Sequence, residues 1–450
     1  MSLDFMLERF EKNKENNAII WNNTEFTYKW ILERFKYWED QLALNDVSKG
    51  SVVAIEADFS PNSISLFLAL AHHRCVLVPL TDTVSAKKEE FINISMCEYV
   101  FKIEPDSDNV IFKKINDRLN HEYYAHLRKK DHPGLVLFSS GTTGKSKAAV
   151  HDLVGILEKF KTERNSLTSI NFLLYDHIGG VNTMLYNLSN TGTMVTVSKR
   201  TPDEVLSAVD KYSVELLPVS PTFINLVLLS EAYKRHDISS LKILSYGTEP
   251  MPQSTLDKLH NLFPDIRLLQ TYGLSELGIL RSKSKSSNSL WVKVGGEGFD
   301  TRVVDGILHI KAKSAMLGYL NAPSPFTEDG WFNTSDNVEV DGEYIKILGR
   351  KSDIINVGGE KVYPAEVESV LQEMDIVLDA VVYGEKNPIV GSIVCASISL
   401  TSKKQKDTIS KIKKFCKSKL QNYKVPVKIK INNNSQHSKR FKKLRDPNLV

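Results

Sequence analysis

Little in this sequence points outward. It holds four cysteines, Cys75, Cys97, Cys395 and Cys416, spaced so that none forms a C-x-x-C pair. That excludes a disulfide framework and a zinc ribbon, and it reads as buried or incidental thiols in a reducing compartment. The longest mostly apolar stretch, 64–71, is far too short to span a bilayer, so no membrane span is expected. The first residues, 1–9, lack the apolar core of a secretory signal. A net charge of +4 demands no nucleic-acid partner, and the Lys- and Arg-rich end reads as a solvated basic face. No internal repeat is present. What remains is a cytoplasmic globular chain. Its 450 residues, 42% hydrophobic and 25% charged, suit two or three domains.

One stretch is rich where the rest is plain. From Leu137 to Lys147 the chain packs five hydroxyl residues, two glycines and two lysines behind an apolar run. The run, 135–138, predicts a short buried strand. The loop after it, with Gly141 and Gly144, can aim N–H groups, hydroxyls and an ammonium at one polyanion, most simply a phosphate. A Walker loop, G-x-x-x-x-G-K-S/T, matches at Gly144, Lys145 and Ser146. It fails at its first glycine, where this chain has Ser139.

Periodicity organises the rest. Helical spacing over 27–44, strand patterns at 51–56 and 75–79, and a helix over 62–72 predict βα units and a largely parallel sheet. The alternation continues with helices over 153–161, 182–190, 203–211, 222–233 and 252–262. The strands between and around them are 171–175, 193–197, 215–219, 241–245 and 266–270. From about residue 290 short alternating strands with Gly and Asp turns take over, at 301–304, 307–311 and 344–347, suggesting a distorted barrel. After Arg350 the texture is that of a small α+β unit. Its helices are expected over 365–373 and 406–420, its strands at 379–383, 393–400 and 427–431.

The phosphate loop resembles that of the adenylate-forming enzymes. Ser139, Ser140, Gly141, Thr142, Thr143, Gly144 and Lys147 fit its signature, whereas Ser146 and Ala148 replace the usual proline and glycine. Further segments follow in the family's order along nearly the whole chain. The run Asp176 to Gly180, with His177, resembles the acyl-pocket mouth. Gly247, Thr248, Glu249 and Pro250 resemble the turn that flanks adenine. The run Gln270 to Glu276 resembles Y-G-x-S/T-E, with Thr271 where glycine is common. Trp331 to Asp336 resembles G-W-x-x-T-G-D, with Ser335 for the glycine. The run Gly349 to Glu368 is the longest match and includes Arg350, a hinge position at Ser352 and the pair Gly358 and Gly359. Phe441 to Arg445 resembles the terminal G-K-x-x-R, with Phe441 for the glycine.

The resemblance implies a large N-terminal domain, 1–350, of parallel α/β layers plus a distorted β-barrel, then a small mobile α+β domain, 351–450. It implies ATP-dependent activation of a small-molecule carboxylic acid to an acyl-adenylate. Transfer to a thiol, coenzyme A or the phosphopantetheine of an acyl carrier protein, would follow. Lys442 is the candidate catalytic lysine, with Lys443 as its neighbour and rival. Lys147 neutralises charge, Ser275 donates to the α-phosphate, Glu276 offers a hard oxygen to Mg²⁺, and His177 sits near the acid. Tyr272 offers an aromatic face to adenine, Gly273 lets the backbone approach substrate, Asp336 accepts ribose hydroxyls, and Arg350 binds ribose or phosphate. Thr271 narrows the acyl tunnel, and the small domain turns about Ser352. Three alternatives stay open at this point: an amino-acid-adenylating enzyme using Asp176, a Walker-type ATPase or kinase, and an inactive nucleotide-binding relative.

Overall fold

The computed structural model describes residues 3–140, 146–401, 407–432, 437–438 and 441–445, with Ser140 by its backbone only. The loop residues Gly141, Thr142, Thr143 and Gly144 lie outside the described residues. Among the described residues the chain builds two seven-stranded sheets, a six-stranded sheet and a five-stranded sheet, plus one small two-stranded ribbon.

The first seven-stranded sheet grows from the clearest βα unit. Strand Val52–Glu56, helix Pro61–His72 and strand Val76–Leu80 follow in turn, and the two strands pair in parallel. Val52, Val53, Ala54 and Ile55 are all buried, as expected for strands covered on both faces. The helix starts sharply because Ser60 and Ser63 form a reciprocal capping box ahead of Pro61. The sheet runs Gly318–Tyr319, Ser146–Asp152, Gly134–Ser140, Val76–Leu80, Val52–Glu56, Tyr99–Ile103, Val110–Lys114. Its middle is parallel and its edges antiparallel.

The second sheet runs Arg267–Gln270, Ile243–Tyr246, Leu216–Val219, Thr168–Ile170, Thr193–Val195, Asn17–Trp21, Thr24–Thr27, parallel except for its last pair. Here one expectation fails. The strand expected at 171–175 lies instead at Thr168–Ile170. Phe172, Leu174 and Tyr175 are buried without ladder pairing, because the chain is already bending toward the helix Ile178–Ser189. An apolar run reports burial before it reports strand.

The six-stranded sheet is antiparallel and open, ending at Ser282–Ser284 and Phe299–Val304, so the expected barrel is a half-barrel. It is stitched to the second sheet where the backbone N–H of Gln270 donates to Ser284 Oγ at 2.9 Å. The C-terminal five-stranded sheet orders Glu360–Val362, Ile355–Val357, Gly391–Leu400 and Val377–Asn387, with Lys428–Ile431 parallel to Gly391–Leu400. Gly358 and Gly359, at φ +60° and +94°, make the two-residue turn of its first hairpin. The helix Pro364–Gln372 from this unit lies on helix Gln253–Leu262 of the second sheet. There Lys258 Nζ donates to the Gln372 carbonyl at 2.8 Å, and Thr255 Oγ1 to Gln372 Oε1 at 3.2 Å.

All four cysteines are buried and unpaired. Burial pushes the Cys75 and Cys97 thiols far up and those of Cys395 and Cys416 up to about 11, so none is a ready nucleophile.

Candidate active site

The candidate phosphate loop joins two strands that pair antiparallel. Strand Gly134–Ser140 returns as strand Ser146–Asp152, with Ser139 opposite Lys147 and Ser140 opposite Ser146. A Walker loop must open a helix, so topology removes that alternative independently of the missing glycine. Ser139 and Lys147, half-buried, mark the two sides of the hairpin just below its tip.

A second hairpin meets it. Gly273–Leu274 pairs antiparallel with Gly278–Ile279, which places Ser275 and Glu276 at its tip. Gly273 is required by this hairpin itself: a Cβ there would lie 2.4 Å from Ile279 Cδ1 and 2.8 Å from the Gly278 carbonyl. The Glu276 carboxylate accepts from Tyr319 OH at 2.7 Å and from Ser139 Oγ at 3.4 Å. Lys147 Nζ lies 5.1 Å from the centre of the same tyrosine ring. Burial, then Glu276, push the Tyr319 hydroxyl well above its ordinary pKa, so it stays a donor. Under this corner the buried His151 holds the Ser275 carbonyl with Nε2 at 2.6 Å, and burial lowers its pKa, keeping the ring neutral. Among the described residues no group of three or more His, Cys, Asp or Glu surrounds a metal position. A single carboxylate beside the Ser139 and Tyr319 hydroxyls would suit Mg²⁺, which keeps waters and takes most protein contact through one or two carboxylates.

A third corner gathers Tyr272, Asp336 and Arg350. Tyr272 OH donates to Asp336 Oδ2 at 2.5 Å, and Arg350 Nε stands 3.6 Å from Asp336 Oδ1. Asp336 is 6% exposed; burial raises its pKa against the pull of Tyr272 and Arg350. Ser335, in the glycine position, adopts φ +59°, the conformation that position demands. Nearby, Gln270 is buried and its Oε1 has no partner among the described residues.

The turn at residues 247–250 is held from two neighbouring elements. Thr248 takes φ +74°, and Glu249 Oε1 accepts from the Thr222 N–H at 2.8 Å and from the Thr222 hydroxyl. Thr271 Oγ1 donates to the Tyr246 carbonyl at 3.1 Å and fills the space above Gly247, where a Cβ would come within 2.6 Å of it.

Comparison with known proteins now has a geometry to meet. The family model described as AMP-binding enzyme matches residues 7–319, and that described as AMP-binding enzyme C-terminal domain matches 366–442. The chain belongs to the AMP-binding enzymes. A methyl-dioxo-octahydroindenyl propanoyl:CoA ligase of Rhodococcus jostii is 28% identical over 66% of this chain, which spans 60% of that relative's length. The putative acyl–CoA ligase YdaB of Bacillus subtilis is 24% identical over 94% of this chain and 93% of its own. The solved anthranilate CoA ligase AuaEII in complex with anthranoyl-AMP shares the fold at a TM-score of 0.78 and 19% identity, over 96% of this chain and 93% of its own.

In this AMP-binding enzyme the two neighbouring tail lysines differ. Lys443 Nζ is buried, donates to the Ala380 carbonyl at 2.7 Å and lies 3.2 Å from Glu368 and 3.5 Å from Asp379. Burial opposes its charge, but Glu368 and Asp379 outweigh burial and hold its pKa above the ordinary value. Arg445 clamps Glu368 from the other side at 3.0 Å. Lys442 is half-buried, is the last residue of the C-terminal family match, and follows Phe441 at φ +52°. His177 is the N-cap of helix Ile178–Ser189, its Nδ1 accepting from the Gly179 N–H at 3.0 Å. Asp176 is buried, and its Oδ2 accepts from Thr81 Oγ1 at 3.0 Å. Ser352 is exposed on the short turn Lys351–Asp353 and donates to Asp353 at 2.9 Å.

Sequence reasoning missed Tyr319 and His151. Each is a lone aromatic or histidine on a strand, and its partner lies 43 or 124 residues away along the chain. No local motif marks either residue.

Proposed function

We propose that this chain joins a small carboxylic acid to ATP and then hands the acyl group to a thiol. The observation that carries the reading is the meeting of two hairpin tips, which sets the Glu276 carboxylate beside Ser139, Tyr319 and Lys147. In the first step a carboxylate oxygen of the acid attacks the α-phosphorus, and the bond to the pyrophosphate oxygen breaks. The acid is already a nucleophile, so no general base is required. The obstacle is charge, since two anions must meet. Lys147 supplies a cation at the phosphate hairpin, Ser275 an oxygen-bound proton beside Glu276, and Lys442 a second cation from the C-terminal unit. Glu276 would hold Mg²⁺, which would supply further charge neutralisation.

Asp336 orients the ribose, with Tyr272 holding one of its oxygens. The lone amide oxygen of Gln270 suits the adenine amino group as an acceptor. The signature residues Gly141, Thr142, Thr143 and Gly144 suit the ATP phosphates by their chemistry, and Thr248 and Glu249 edge the base. His177 lies toward the acid, and Thr271 narrows its end of the site. In the second step a thiol sulfur attacks the acyl carbon, the carbon–oxygen bond to AMP breaks, and the thiol proton leaves to solvent. Coenzyme A is the favoured thiol, with a carrier-protein phosphopantetheine as the alternative. Between steps residues 351–450 turn about Ser352, which withdraws Lys442.

With one oxygen of Asp176 taken by the Thr81 hydroxyl, a plain acid is favoured over an amino acid. A panel of carboxylates read by acid-dependent pyrophosphate release tests the reading. Release of orthophosphate would favour hydrolysis of ATP, and release of neither an inactive relative. Lys442→Ala is expected to suppress pyrophosphate release by about two orders of magnitude or more. It should spare thioester formation from supplied acyl-adenylate. Equal loss of both half-reactions would overturn the role given to Lys442.

A further inference from the structure

Phe441 occupies a backbone conformation that glycine would adopt freely, φ +52°. A phenylalanine there is strained, because its Cβ crowds the adjoining carbonyl. Its ring accounts for the choice. The ring centre lies 5.1 Å from that of Phe172 and 5.6 Å from that of Phe223, the second contact edge-on. His437 stacks against it at 5.7 Å and 20°. Phe172 and Phe223 are themselves 4.3 Å apart and almost fully buried in the core of the second seven-stranded sheet. A ring from the end of the chain is thus seated on the core of the large N-terminal unit.

The residues after it divide their contacts. The Lys443 N–H donates to Glu249 Oε2 at 3.3 Å, again on the N-terminal unit. The Lys443 and Arg445 side chains turn back to Glu368 in the C-terminal unit. Lys442 sits between the ring seat and this divided attachment. A turn tightens the segment, with the Phe441 N–H on the Ser438 carbonyl and the Ser438 N–H on the Lys442 carbonyl, both at 2.9 Å.

We infer that Phe441 is a positioning residue for adenylation: its ring, seated on Phe172 and Phe223, docks the tail and so presents Lys442, and it must unseat for the thiol step. This rests on the reading of Lys442 given above. An apolar seat suits a part that leaves and returns. Contact with Phe172 and Phe223 is non-directional, and no hydrogen bond of the ring must be broken. The left-handed backbone at 441 accompanies a ring seated on the core.

Phe441→Gly is a clean probe because it relieves the backbone strain while removing the ring, so the fold is not put at risk. Pyrophosphate release should fall roughly tenfold through a smaller docked population. Thioester formation from supplied acyl-adenylate and coenzyme A should be unchanged or faster, and thermal stability should not fall. Phe441→Leu should restore part of the first step. A glycine variant with normal pyrophosphate release overturns the inference. So does one in which both half-reactions and the melting temperature fall together. Lys442→Ala, run in parallel, separates the two claims. If it leaves adenylation intact, the reading of Lys442 fails. If it abolishes adenylation while Phe441→Gly does nothing, only the anchor fails.

Discussion

Two carboxylates at this site are each gripped by a tyrosine hydroxyl, Glu276 by Tyr319 at 2.7 Å and Asp336 by Tyr272 at 2.5 Å, yet their surroundings differ. Asp336 is on a long strand of the half-barrel, is 6% exposed, and pairs across the ladder with Arg350. Glu276 is half-buried at the tip of a two-residue-per-strand hairpin. A carboxylate that only orients a neutral sugar can be built deep into a rigid ladder. One that must share a cation with moving phosphates has to stay at an accessible tip. On the proposed reading, the same side-chain pair serves recognition in one corner and charge handling in the other.

The largest effect should come from the exposed corner. Glu276→Gln keeps shape and the Tyr319 contact but loses the charge. Pyrophosphate release should drop by about two orders of magnitude, and raising Mg²⁺ should recover part of it. Near-normal turnover at limiting Mg²⁺ would erase the contrast between the corners.

Asp336→Ala should act on ATP instead. Each charged hydrogen bond lost costs about 1.5–3 kcal/mol, so the KM for ATP should rise about ten- to a hundredfold with a smaller change in kcat. The buried corner also has a pH signature. Burial raises the Asp336 pKa, so its carboxylate forms only at a higher pH than a free aspartate would allow. ATP affinity should therefore climb as pH rises through that shifted value and level off above it. Asp336→Asn should abolish the climb, and a climb that persists would assign it to another group.

Much of this arrangement was legible beforehand, and the reasons for the rest are physical. The unit Val52–Glu56, Pro61–His72, Val76–Leu80 was plain because burial on both faces makes its strands continuously apolar. The motif residues Gln270 to Glu276 and Trp331 to Asp336 carried their identity in short local patterns. The helix Asp4–Lys12 and the antiparallel pair Asn17–Trp21 and Thr24–Thr27 were not anticipated. Their turn is carried by Asn22 and Asn23 at φ +48° and +63°, a hairpin signal without glycine. Strand 171–175 was misplaced because Phe172 and Tyr175 are apolar for tertiary reasons. Gly273 was assigned to substrate approach, yet Ile279 already occupies the space beside it. A side chain's long-range partner leaves no local trace, and Tyr319, His151 and the seat of Phe441 are all of that kind.

The smallest effect concerns what supports the Glu276 corner from below. Lys159, on the short turn Glu158–Phe160, donates from Nζ to Asn182 Oδ1 at 2.5 Å and to the Ile279 carbonyl at 2.8 Å. Ile279 is the strand partner of Gly273, so this lysine ties the Glu276 hairpin to helix Ile178–Ser189. The residue is half-buried, and its ammonium meets both acceptors. Burial first, then the charges of Arg164 and Arg281, lower its pKa from 10.5 to about 7. The unfolded chain therefore holds a proton that the folded chain lacks between those two values. Stability should rise with pH across that window, by at most about 1.4 kcal/mol per pH unit, and sit at its low plateau below it. Lys159→Met should flatten the profile, read as the urea midpoint at a series of pH values. An unchanged slope would mean that another group carries the linkage. If the lysine braces the exposed corner alone, the same variant should lower kcat a few-fold and leave the KM for ATP, set at Asp336, where it was.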